Sequence, residues 1–216
     1  MTKYKDYDEF YSTSDDPNFG LAPSVELKEF IEHSGMTGTA LDLACGEGRD
    51  TLFLLNAGCD VTAVDVSQVA LDKLEKYAVN RKLSDGLTTL CMDFTAFKAG
   101  AHQFDLISSA TGLDHVDIGQ TRELFPSIVS WLKPGGALYL MVHTVDDPGF
   151  SAFSTKTSEL TNMIQHYFRH NELLDLVRDH HLRILRYEER VEEDHIHGKP
   201  HKHGFATVIA IKQETG

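Results

Sequence analysis

The sequence predicts an α/β protein: a seven-stranded, mostly parallel sheet with an antiparallel last strand and helices on both faces. Three observations carry that reading. Short β-favouring apolar runs alternate with segments of helical period, which is the pattern of βαβ units. The first run, residues 39–44, passes directly into Gly46 and Gly48 and then into an amphipathic segment from Thr51 to Ala57. Strand, tight turn and helix therefore follow without a gap, and glycine suits the turn because it reaches φ > 0 and lets a ligand approach bare backbone. The last two runs, about 182–192 and 204–212, flank a polar stretch and read as a hairpin with one strand reversed.

With 216 residues the chain is expected to form one domain with a full core, divided into a helical cap over 1–36 and a body over 37–216. Acids outnumber bases 33 to 20, for a net charge of −13. No cluster of Lys and Arg could neutralise phosphates, so nucleic acid is set aside and a small-molecule partner is expected. The longest apolar run, Ala137 to Val142, is far shorter than the ~20 residues of a membrane span. No basic segment followed by an apolar stretch opens the chain, so neither a secretion signal nor a membrane partner is expected. Cys45, Cys59 and Cys91 are odd in number and lack C-x-x-C spacing, which fits reduced thiols in a cytoplasm. Monomer and homodimer both stay open.

Residues 1–20 are polar and aromatic, and Tyr7 and Tyr11, four apart, would share one helical face. That segment reads either as a surface helix docking its rings or as a cap. A second helix opens at Pro23-Ser24, turns Leu27, Phe30 and Ile31 to one side, and stops at Gly35. Strand 1, residues 39–44, carries Asp42 near its tip, just before the glycine turn. A dinucleotide fingerprint would carry a third glycine where this chain has Thr51, and an apolar residue where it has Asp42. An acid at a strand tip repels a pyrophosphate but can hold an ammonium. That favours S-adenosylmethionine, with its ammonium and sulfonium, over NAD. Strand 2, residues 60–65, ends on Asp65, placed 17 residues after Gly48 to accept hydrogen bonds from ribose hydroxyls. Ser67 caps the following helix.

Asp42-Leu43-Ala44-Cys45-Gly46-Glu47-Gly48 resembles the D/E-x-x-x-G-x-G motif of class I S-adenosylmethionine-dependent methyltransferases, whose fold is Rossmann-like. The resemblance implies cofactor contacts from Asp42, Ala44, Cys45, Gly46, Gly48 and Arg49 around the turn, and from Asp65 with Val66. It also implies an adenine site at Asp93-Phe94 after strand 3 (87–91), a contact from Ser109 at the end of strand 4 (104–109), and closure by Tyr11 from the N-terminal segment. Phe104-Asp105-Leu106-Ile107 and Leu132-Lys133-Pro134-Gly135-Gly136, a type II turn before strand 5 (137–143), are further marks of that family. Arg49, the Thr-Ala-Val-Asp strand and Gly204-Phe205-Ala206-Thr207 look like its tellurite-resistance type, in which a histidine between strands 6 and 7 is linked to substrate handling.

The loop after strand 4 holds Asp114 and His115 as substrate-site candidates, with His115 a candidate base. A link over 144–157 reads as a lid or substrate wall, followed by one or two helices over 158–181. Between strands 6 and 7 lie His195, His197, His201 and His203. With Gly198-Lys199-Pro200 as the hairpin loop, His197 would face His201 and His195 would face His203, all on one side. Such a cluster could hold a divalent transition metal, and His195 or His197 could serve as the catalytic base. The expected activity is methyl transfer to a small molecule or metalloid. Cofactor binding without catalysis and an NAD-dependent oxidoreductase are the rivals.

Overall fold

A computed structural model describes residues 3–151, 163–194 and 200–213. The seven strands are β1 (Gly38–Leu43), β2 (Cys59–Asp65), β3 (Leu87–Cys91), β4 (Phe104–Ala110), β5 (Leu132–His143), β6 (Arg183–Asp194) and β7 (His201–Ile211). They form one sheet in the order β3-β2-β1-β4-β5-β7-β6. Every pairing is parallel except those of β7, which runs antiparallel to both β5 and β6. The expected architecture is met.

Helices α2 (Val25–Ser34), α3 (Arg49–Asn56) and α4 (Gln68–Arg81) cover one face, burying Leu27, Ile31, Leu52, Leu54, Leu71 and Leu74. Helices α5 (Ile118–Trp131) and α7 (Glu172–Asp179) cover the other with Phe125, Ile128, Trp131, Leu173 and Val177. Each such fully buried Leu or Phe contributes about 1.5–3 kcal/mol of transfer free energy. The sequence punctuates these helices as expected. Gly35 takes φ +64 at the end of α2 and donates its N–H to Ile31 O, and the Ser67 hydroxyl accepts from Ala70 N to cap α4. Helix α1 (Lys3–Tyr11) is shorter than the polar aromatic segment, and Tyr7 and Tyr11 both turn inward to 7% exposure.

Three expectations are corrected. Lys133–Gly136 does not precede β5 but lies within it. Phe104 pairs with Leu132 and Leu106 with Ala137, so four residues bulge out of the ladder, with Gly135 at φ +78. The region before α7 is not helical over 164–171. Phe168, fully buried, bridges Thr144 there and bonds the backbone of His143 and Val145. Helix α6 (Pro148–Ser151) occupies part of the link. In the hairpin, His201 is opposite Asp194 and His203 opposite Glu192, not His197 and His195. β7 is fixed by its ladder to β5, and β6 absorbs an irregularity between Ile184 and Arg186; together these set which residues of β6 meet His201 and His203. His195 and His197 lie outside the described residues. Among the described residues no helix is long and apolar enough to cross a membrane.

Candidate active site

A cavity of about 730 Å³ runs along the carboxyl ends of the strands, where ligands of open α/β sheets bind. One half is built on the β1 turn. Gly46 and Gly48 take φ +54 and +81, and a Cβ on Gly48 would stand 2.3 Å from Leu74 Cδ1. Asp42 alternates with Leu41 and Leu43, so it faces α3, where it is 3% exposed. It accepts hydrogen bonds from Thr51 Oγ1 at 2.6 Å and Ser108 Oγ at 2.9 Å. Burial, then the charge of Asp50, pushes its carboxyl up to about 7. The residue in the third-glycine position thus serves the acid at the strand tip.

Asp65 Oδ2 accepts from Gly46 N at 2.8 Å and Oδ1 from Ser67 N at 2.9 Å, fastening the β1 turn to the end of β2. Burial raises its carboxyl against those two N–H groups. Asp93 Oδ1 accepts from the N–H and the hydroxyl of Thr95, capping a short 3-10 turn over Phe94–Ala96. All three acids line the cavity, together with Ala44, Cys45, Gly46, Gly48, Arg49, Val66, Phe94 and Tyr11. Burial, then Asp65, drives the Cys45 thiol well above its ordinary range, so it stays neutral. Ser109 does not line the cavity: its hydroxyl donates to Leu43 O at 3.0 Å under Gly112, whose missing side chain leaves the room.

The N-terminal segment closes one wall. The Tyr11 hydroxyl stands 2.8 Å from where a Gly46 Cβ would be, and Tyr7 Oη lies 2.9 Å from His115 Nδ1. Ser67 Oγ donates to Asp8 at 2.6 Å, and Lys73 Nζ bridges Ser14 O and Glu47 Oε1. Ser24 donates through N and Oγ to the two oxygens of Asp50. Tyr7 thus ties Nδ1 of His115 to the cap, and His115 too lines the cavity.

The other half of the cavity centres on His143, the last residue of β5. Its Nδ1 lies 2.7 Å from Oδ2 of Asp114, which is fully buried and also accepts from the His143 N–H. Burial raises the Asp114 carboxyl, and the His143 hydrogen bond opposes that. With Nδ1 committed to the acid, Nε2 faces Asp147 Oδ2 at 4.0 Å, beyond hydrogen-bond reach, and lines the cavity. Phe205 is the cross-strand partner of His143, their rings 4.7 Å apart. His203 stands two residues along, with Nδ1 at 2.7 Å from Asp147 Oδ2. Burial would raise Asp147, but the His203 hydrogen bond and His143 outweigh it and lower the carboxyl. Glu26, 3% exposed, meets Arg190 Nη1 through Oε1 at 2.8 Å, while Oε2 is buried with no hydrogen-bond partner among the described residues.

Sequence reasoning missed His143, Asp147, Glu26 and Arg190. A polar side chain ending the apolar run of strand 5 was the available signal for the first. The candidates Asp114 and His203 are present but as parts of these pairs.

In fold the chain resembles class I, S-adenosylmethionine-dependent methyltransferases. Residues 40–136 match the family model described as a methyltransferase domain. The chain is 30% identical over 177 residues to Hemagglutinin 1 of Eikenella corrodens, covering 80% of this chain and 54% of that protein. It is also 30% identical over 120 residues to the ubiquinone biosynthesis O-methyltransferase of Coxiella burnetii, covering 55% of this chain and 50% of the relative. The chain thus spans about half the length of these curated relatives. In fold it resembles TehB of Haemophilus influenzae, with a TM-score of 0.73 at 21% identity over 96% of this chain and 67% of the other.

Proposed function

We propose that the protein transfers the methyl group of S-adenosylmethionine to a heteroatom of a small-molecule acceptor. The observation that carries the reading is one continuous cavity joining the three strand-tip acids to His143 on its buried carboxylate. Asp42 takes the ligand ammonium, the backbone at Gly46 and Gly48 lies along its methionine end, Asp65 binds the ribose hydroxyls, and Asp93 with Phe94 holds the adenine. Residues 1–36 act as the cap over the body of 37–216, with Tyr11 over the glycine turn.

Transfer is an in-line displacement in which positive charge disperses, so the protein chiefly positions the nucleophile and excludes water. An acceptor O–H gives its proton to His143 Nε2 as its oxygen bonds the methyl carbon and the sulfonium C–S bond breaks. Asp114 holds the ring and stabilises the imidazolium that forms. Glu26 Oε2 accepts a hydrogen bond from a second donor group on the acceptor. The oxygen chemistry of the named O-methyltransferase relative supports a hydroxyl acceptor. A thiolate or reduced selenium or tellurium would need no base, and this separates the two acceptor classes.

The test is a methyl-transfer screen against small phenols, thiols, selenite and tellurite, reading S-adenosylhomocysteine and the methylated product, beside binding of S-adenosylhomocysteine and NADH. The expected result is turnover of a hydroxyl acceptor that is lost in His143→Ala. Absence of S-adenosylhomocysteine binding, or NADH binding in its place, overturns the donor. Binding without turnover of any acceptor favours a non-catalytic role, and metalloid turnover that is indifferent to His143 overturns the base.

A further inference from the structure

His201 and His203 of the hairpin do come together, and with acids that the sequence did not pair with them. Asp194 is directly opposite His201 in the β6–β7 ladder, and His203, two residues on, shares their side of the sheet. The ligand atoms of these three residues all lie within 4.8 Å of one another. His203 Nε2 is 3.9 Å from Asp194 Oδ2, and the His201 and His203 rings are 4.5 Å apart at 76°. A separation of 3.9 Å is too long for a hydrogen bond. Ligand atoms on one tetrahedral ion, with bonds of about 2.0–2.2 Å, stand about 3.3–3.6 Å apart, so the pair would close by a few tenths of an ångström on binding.

We propose that Asp194, His201 and His203 bind a divalent first-row transition metal ion at the acceptor end of the cavity. Two imidazoles and one carboxylate suit zinc, cobalt, iron or nickel, whereas magnesium and calcium prefer all-oxygen shells. A second observation is independent of the triad. His203 Nδ1 is held at 2.7 Å by Asp147, which is 2% exposed and also accepts from Gly204 N. That is the carboxylate–histidine support that metal-binding imidazoles use: it fixes the tautomer and turns Nε2 toward the ion. Gly204 makes the support geometrically feasible, because a Cβ there would stand 2.5 Å from Asp147 N. Asp194 and His203 line the cavity, so open coordination positions face the space assigned to the acceptor, whose heteroatom completes the shell. This last role rests on the methyl-transfer reading; the ion site itself does not.

The test titrates the chelator-treated full chain with Co²⁺, read by its d–d absorption, and with competing Zn²⁺, while S-adenosylhomocysteine affinity is measured in the same samples. The expected result is one equivalent of Co²⁺ displaced by Zn²⁺. Asp194→Asn and His201→Ala should abolish the band, and Asp147→Asn should weaken binding about 10–100-fold. S-adenosylhomocysteine affinity should stay within about twofold in every variant, which shows that each has folded and keeps the donor site apart from the metal site. No cobalt band in the parent chain overturns the proposal. A band that survives Asp194→Asn and His201→Ala, or that vanishes only in His195→Ala with His197→Ala, also overturns it.

Discussion

His143 Nδ1 stands 2.7 Å from Asp114 Oδ2 although the two residues are 29 apart in sequence, and the backbone N–H of His143 bonds the same carboxylate. Both contacts reach an acid with no solvent exposure, so the ring has one orientation. Its remaining nitrogen is the polar group at the end of β5. His143→Gln is therefore expected to lower kcat about 10²–10⁴-fold, the usual worth of a positioned base. Asp114→Asn should lower it less, because the amide still holds the ring but brings no charge to the proton it takes up. Initial rates at saturating donor, with S-adenosylhomocysteine affinity as the control, check both.

The proposed contact between Asp42 and the donor ammonium predicts that donor binding depends on pH. Burial moves its carboxyl from 3.8 to about 7, so in the free protein it is largely neutral at pH 6 and ionised at pH 8. The ligand ammonium pairs with the ionised form, so S-adenosylhomocysteine affinity should fall as pH drops from 8 to 6. A folded pKa above the unfolded one also means a contribution to stability that is full below 3.8 and lost as pH rises through about 7. Asp42→Asn should flatten the affinity profile and raise Tm relative to the parent at pH 8 more than at pH 5.5. Calorimetric titration and thermal melts over that range are the measurements.

Asp65 supports the turn as well as the proposed ribose contact, since Gly46 N and Ser67 N both donate to it. Removing hydrogen bonds to a charged group costs about 1.5–3 kcal/mol each. Asp65→Ala should weaken S-adenosylhomocysteine about 10–100-fold, read by fluorescence titration. An affinity equal to the parent's would refute the ribose assignment.

Two glycines with positive φ offer a matched pair. Gly48, at φ +81 with Leu74 Cδ1 at 2.3 Å, should lose about 2 kcal/mol or more as Gly48→Ala, through strain and overpacking. Gly35, at φ +64 with nothing within 4 Å, should lose about 1 kcal/mol as Gly35→Ala. In a chain of this size that corresponds to Tm falls of about 4–8 °C and 2–4 °C.

The legible features were those carried by contiguous residues. β1, its turn and α3 follow one another, so Asp42, Gly46 and Gly48 could be assigned from spacing. Asp65 and Asp93 stand out because each ends a short apolar run. The His143–Asp114 pair was not legible, because it depends on which strand lies beside which at the β4–β5 edge. The hairpin register escaped for a related reason. It is decided by the β5–β7 ladder and by an irregularity near Ile184, neither of which leaves a mark on the histidine stretch itself.

β6 is an edge strand of the sheet, and Arg186, Glu188, Arg190 and Glu192 fall on one side of it. Arg186 bonds Glu188 at 2.8 Å and Glu29 of α2 at 2.6 Å, while Arg190 bonds Glu192 and Glu26 at 2.8 Å each. Sliding the strand by one residue would present Tyr187, Glu189 and Val191 to α2 instead and leave Glu26 facing no cation. The row of alternating charge thus acts as a toothed latch, holding the hairpin in the phase that the β5–β7 ladder and the irregularity near Ile184 set, with Asp194 opposite His201. The same teeth make the outer rim of the sheet a poor template for a neighbour's strand, so one device both keeps the phase of the imidazoles and guards against edge pairing.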